Sequence, residues 1–253
     1  MPDAAVNLES AVPEEARPAR RTTPGDRLGA IAEVLLCSGY PTQLFLMALM
    51  ALMGVELKTP DGRLSAMFIS MLSLLDTALV VGLIVLFLAS RGERPRDVLL
   101  GHRPPAREAA LGLALLVPIL IAASVILVVL SRLVPQLHNV PRNPVEDMLT
   151  SKVNAALFGI VAVIAGGVRE EIQRGFILHR FEQYLGGGIV GVVVYSVAFG
   201  LGHEYQGWDA VVAVSSLGAI WGTIYLIRRS VIAPMVSHAG FNLAQVLKFI
   251  ALR

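Results

Sequence analysis

The chain has 253 residues, of which 55% are hydrophobic and 16% charged, with a net charge of +2 and a mean hydropathy of +0.67. A soluble domain carries about 25% charged residues, so an ordinary water-soluble globule is excluded. With no basic excess and no basic run interleaved with aromatics, nothing points to nucleic acid, and the lone Cys37 excludes an intrachain disulfide and a cysteine-based zinc site.

Residues 1–25 are polar and rich in Pro, Arg and Glu, without an apolar core. They read as a disordered cytoplasmic tail, not as a signal peptide. Residues 26–253 read as one transmembrane helical domain. Hydrophobic runs long enough to span a bilayer, about 18 residues or more, lie near 28–54, 65–90, 109–134, 153–184, 187–206, 208–227 and 230–251. The expected fold is therefore all-α: a polytopic transmembrane helical bundle of about seven spans (six to eight). The first run is expected to break at Gly39-Tyr40-Pro41. The second carries Asp76 in mid-span, a candidate partner for a buried Arg or Ser or a step in a proton path. Pro118 reads as a kink in the third, Gly186-Gly187-Gly188 as a turn, and Trp208 as an interfacial anchor.

The connection "RGERPRDVLLGHRPPARE" after the second run holds five Arg, and Arg180 and Arg228-Arg229 follow the fourth and sixth. With seven spans these three connections share one side. The positive-inside rule then places the amino terminus in the cytoplasm and the carboxyl terminus outside.

The stretch "GGVREEIQRGF", residues 166–176, sets Arg169, Glu170, Glu171 and Arg174 within an apolar run. A charge inside a span costs about 2.5 kcal/mol or more and usually faces the protein interior. Glu170 and Arg174 are spaced i, i+4, and Glu171 and Arg174 i, i+3, so either carboxylate can pair with the guanidinium. Further on, "AFGLGH" places Phe199 and His203 at i, i+4, and "SHAGFN" places His238 and Asn242 at i, i+4. Taken singly, each histidine reads as a packing residue. Together with a carboxylate and an amide on separate helices they read as a site, and the two imidazoles are expected to share a polar pocket. Carboxylate and imidazole can jointly deprotonate a water, while a second imidazole and an amide can donate to a tetrahedral oxyanion. Alternatively, His203, His238 and Glu170 can hold a zinc ion. Glu204 marks a helix end or stands in for a displaced acid.

The blocks "EEIQRGF", "FGLGH" and "HAGFN", in that order over residues 150–245, resemble the CPBP intramembrane protease family. That family includes the CAAX prenyl endopeptidases and Abi-type bacteriocin-processing or self-immunity proteins, with motifs EExxxR, FxxxH and HxxxN. The resemblance implies an endopeptidase with its site buried among helices. Glu170 or Glu171 with His203 would activate water, His238 and Asn242 would hold the oxyanion, and Arg174 and Phe199 would support them. It further implies no required cofactor, zinc belonging to an older reading of the family. It implies a membrane lipid environment and a peptide or protein substrate, with a lipidated or membrane-inserted one among the options; the expected location is a bacterial inner (plasma) membrane. One departure stands out. Aligned on Arg174, the family's first Glu falls on Arg169, and the chain's own pair, Glu170-Glu171, is displaced by one residue, about 100° around a helix. Either Glu170 or Glu171 takes the role in a variant geometry, or hydrolysis is lost. The rival functions are a non-catalytic membrane scaffold or immunity protein, and a proton-coupled transporter using Asp76, Glu170 and His203.

Overall fold

The computed structural model describes residues 22–252, and the tail expected over residues 1–25 lies outside these up to residue 21. Helix α1 (Pro24–Leu36) begins with a reciprocal cap in which Thr23 Oγ1 accepts from the Asp26 amide and the Asp26 carboxylate accepts from the Thr23 amide. It ends at Cys37. Gly39 turns the chain in the left-handed region (φ +88°), where a side chain would be strained, and α2 (Tyr40–Leu52) continues at 44° to α1. The break expected at Gly39-Tyr40-Pro41 is therefore present.

Helix α3 (Ala66–Ser90), capped by Ser65, buries Phe68, Leu72, Asp76, Val80, Ile84 and Leu88. The four-residue spacing makes one stripe, with Asp76 in its middle. Helix α4 (Pro105–Leu133) does the reverse. Leu113, Val117, Ile121, Val125 and Val128 form an exposed apolar face, an arrangement that suits lipid and not water. After the short α5 (Pro144–Asp147) comes a continuous rod: α6 (Lys152–Val161), a π-helical segment (Ala162–Arg169) and α7 (Glu170–Tyr184). Helix α7 lies at the centre, with Gln173, Arg174, Gly175, Phe176, Ile177 and Leu178 all buried. Helices α8 (Gly188–Leu201), α9 (Trp208–Arg228) and α10 (Ile232–Leu252) complete the bundle, α8 packing on α9 and α10 on α4 and the π segment. Among the described residues there is no β-strand.

The arginine-bearing connections gather at one end. Arg91 and Arg180 both bond Glu33, Arg180 also bonds Glu93, Arg103 donates to the Arg228 carbonyl, and the Val231 amide donates to the Leu99 carbonyl. The opposite end is tied by His138 to Asp209, by Asn139 to the Trp208 amide and by Asn143 to Gln206.

By length and composition, three helices are apolar and long enough to cross a membrane: α3, α4 and α9. The bent α1–α2 pair makes up to four, fewer than the seven expected. Two physical causes account for the difference. Helix α8 is only 14 residues, roughly 21 Å at 1.5 Å per residue, because it stops at Leu201 and not near 206. The α6–α7 rod and α10 carry the charged and polar residues of the candidate site, which lower their hydropathy.

Candidate active site

A π segment leads directly into the two glutamates. The Glu170 amide reaches back to the Ala165 carbonyl, five residues away, so each such turn holds one residue more than an α-turn. Gly166 and Gly167 make room for this. A Cβ on Gly166 would sit 2.3 Å from Asn242 Nδ2, and one on Gly167 2.6 Å from Ala239 Cβ. Helix α10 therefore lies directly against the glycine pair, and Asn242 Nδ2 donates to the Ala162 carbonyl at 3.2 Å.

Beyond that turn the glutamates part. Glu171 is 1% exposed and ion-paired with Arg174, and accepts from His238 Nδ1 at 2.7 Å. Arg174 is equally buried, and its guanidinium lies over the rings of Phe199 (4.9 Å), Tyr195 (5.6 Å) and Trp221 (5.6 Å). An aromatic cage of this kind offers a desolvated cation partial compensation for lost water. Glu170 instead turns to a cavity of about 580 Å³, whose wall also includes Phe199, His203, Trp221, His238 and Asn242. Glu171 and Arg174 lie behind that wall.

The two histidines meet this cavity from different helices. His203 stands in the turn after α8, not within a span, and its Nδ1–H donates to the Phe199 carbonyl at 2.9 Å. His238, on α10, stacks on Trp221 with ring centroids 3.8 Å apart, and its Nε2 is 3.8 Å from Glu170 Oε2. Both imidazoles pack on Phe199, at 5.0 Å and 6.4 Å between centroids. Trp221 is itself held by donating from Nε1 to Ser237 Oγ at 3.1 Å.

The structure thus brings Glu170, His203, His238 and Asn242 to one cavity, with Phe199 between the imidazoles, and sets Glu171 and Arg174 as a buried pair behind them. Glu204 lies exposed beyond the end of α8 and is not in the cavity wall. Asp76 is also outside the wall. It is fully buried and accepts from Thr42 Oγ1 at 2.5 Å, an arrangement of a held anion and not of a free relay. Sequence reasoning passes over Trp221 and Ser237. The only local signal for Ser237 is its place beside His238, and Trp221 has none.

Among the described residues no three of His, Cys, Asp and Glu are grouped so as to hold a metal ion. His203 and His238 each commit one ring nitrogen to the protein.

Fold and site together define an integral membrane protein, all-helical, with acid, imidazoles and amide around an internal cavity. Residues 152–244 match the family described as "Type II CAAX prenyl endopeptidase Rce1-like", which agrees with the resemblance carried by the motifs in that segment. No curated protein and no solved structure matches the chain.

Proposed function

We propose that the protein is an intramembrane endopeptidase in which Glu170 is the general base. The observation that carries this is the division of labour between adjacent glutamates. Glu171 is consumed by Arg174 and His238, while Glu170 faces the cavity with His203, His238 and Asn242. A water bound between Glu170 and His203 gives its proton to the carboxylate as its oxygen bonds the scissile carbonyl carbon. His203, having given Nδ1–H to Phe199, keeps Nε2 to hold that water. The carbonyl oxygen becomes an oxyanion. Asn242 has one amide N–H engaged by Ala162 and a second free to donate, and His238 donates when Nε2 carries a proton. Collapse breaks the C–N bond, the proton passes from Glu170 to the leaving amine, and an acid and an amine result with no change of oxidation state. No step calls on a metal.

The family description makes prenylated CAAX peptides the substrate class to try first. The same reading retains a bacterial inner-membrane location, seven passes and a cytoplasmic amino terminus. Reconstituted protein should cleave a fluorogenic membrane-anchored peptide, and Glu170→Gln should abolish this in protein that remains folded. Arg169, standing at the family's first-Glu position, favours one other reading, a non-hydrolysing scaffold of the same fold. That reading gains if wild type cleaves nothing and Glu170→Gln retains the cellular phenotype.

A further inference from the structure

Arg169 is 93% buried by its 7% exposure, yet it is neither the family's acid nor a partner of the histidines. Its guanidinium runs from the end of the π segment toward the break between α1 and α2. Nη1 donates to Gln173 Oε1 at 2.9 Å, Nη2 lies 3.5 Å from Asp76 Oδ2, and the same Nη2 lies 3.9 Å from Glu170 Oε1. Its Nε has no hydrogen-bond partner. One cation thus stands between two carboxylates, one inside the cavity wall and one outside it, and it stands closer to the outer one.

The outer carboxylate is well secured. Asp76 takes hydrogen bonds from Thr42 Oγ1 at 2.5 Å and Gln43 Nε2 at 3.4 Å, both from the first turn of α2. The bend at Gly39 delivers that turn. The same bend frees the Cys37 carbonyl, which accepts from Gln173 Nε2 at 2.6 Å, and Gln173 in turn holds Arg169. A Cβ on Gly39 would come 3.4 Å from Arg169 Nη1. The broken first span, Asp76 on α3 and Gln173 on α7 therefore converge on one guanidinium.

We infer that Asp76 is a positioning residue for the proposed hydrolysis: by holding Arg169 from outside the cavity, it keeps Glu170 free to bind water. The inference rests on the reading of Glu170 as the base. Without Asp76 the buried guanidinium has a single nearby carboxylate to pair with. Closing the 3.9 Å gap to a direct hydrogen bond takes a movement of about 1 Å, and a misplacement of that size costs on the order of 10²-fold in rate. This also gives the Arg at the family's first-Glu position a companion, Asp76, that renders it harmless.

The test uses the full chain in proteoliposomes, with the folded fraction measured by protection of Cys37. Asp76→Asn should lower kcat about 100-fold with KM changed less than about twofold. The milder Thr42→Val, which removes one bond to Asp76, should lower kcat several-fold. In the double variant Asp76→Asn/Arg169→Gln no guanidinium remains to capture Glu170, and kcat should return to within about tenfold of wild type. A stabilising ion pair with no positioning role would lower the folded fraction and leave kcat per folded molecule unchanged. That result, or a double variant slower than Asp76→Asn, overturns the inference. Labelling of Glu170 by a hydrophobic carbodiimide, read by mass spectrometry, separates this inference from the reading beneath it. It should fall several-fold in Asp76→Asn and recover in the double variant. If labelling follows that pattern while no peptide is cleaved, the clamp stands and hydrolysis fails. If peptide is cleaved but neither kcat nor labelling responds to Asp76, hydrolysis stands and the clamp fails.

Discussion

Glu171→Gln should unfold the protein far more than Glu170→Gln, although the residues are neighbours and the change is the same. Glu171 and Arg174 are each 1% exposed, and Arg174 Nε and Nη2 already lack hydrogen-bond partners. The Glu171 carboxylate is thus the compensating charge for a guanidinium sealed among three aromatic rings, and it also anchors His238 Nδ1. Removing one member of a buried pair costs about 3–5 kcal/mol because the other charge is left behind. For a chain of this size each kcal/mol moves the melting temperature by about 2–4 °C, so a fall on the order of 10 °C is expected. Glu170 contacts its partners only at 3.8 and 3.9 Å and borders the cavity. Its neutralisation should cost no more than about 1 kcal/mol, in the range of weakly coupled pairs. Cys37 is the only cysteine and is fully buried, so a thiol-reactive fluorophore reports unfolding without an engineered probe. Equal melting of the two variants, at a matched scan rate, would refute the assignment of Glu171 to the buried pair.

Gly166→Ala places a methyl 2.3 Å from Asn242 Nδ2. It should displace that amide and cost on the order of 10²–10³ in rate, as loss of an oxyanion donor does; unchanged turnover would argue against Asn242 in the oxyanion site. At the basic end, burial alone would raise the carboxyl pKa of Glu93, but hydrogen bonds from His179, Gln183 and Arg180 outweigh it and hold the group at about 2. A depressed carboxyl stabilises the fold above its unfolded value of 4.5 and loses that contribution as pH falls toward 2. Glu93→Gln should therefore lower the melting temperature at pH 7 and make little difference near pH 2, the two being compared by Cys37 reactivity. Chelation followed by metal repletion should leave activity unchanged, and strict recovery with zinc alone would contradict a metal-free water activation.

Periodicity made part of this legible. His238/Asn242 could be read as paired positions because a four-residue spacing keeps side chains on one helix face; Phe199/His203 was read the same way, although His203 lies in the turn past α8, and Gly39-Tyr40-Pro41 carries the turn chemistry of the break it makes. Which of Glu170 and Glu171 pairs with Arg174 was not legible, because both spacings allow it. Nor was the π-helical turn over Ala162–Arg169, a state that Gly166-Gly167 allow but do not specify. The count of seven spans is not confirmed, α8 and α10 falling short of it, since hydropathy alone does not see where a helix stops or which polar residues it must carry inward. Trp221 and Arg169 were beyond reach for another cause. The role of Trp221 depends on His238 and Ser237 from α10, and that of Arg169 on Asp76 from α3, which only tertiary packing brings to them. Asp76 was visible as a buried acid, but only the bent α1–α2 pair shows what holds it.

The most direct test of the assignment of Glu170 is the rate at which Glu170→Gln, reconstituted and matched to wild type in folded Cys37-protected protein, cleaves a membrane-anchored peptide. Loss of cleavage by about 10³-fold or more, with the melting temperature of wild type retained, is the expected result. Cleavage at the wild-type rate by folded Glu170→Gln would contradict it.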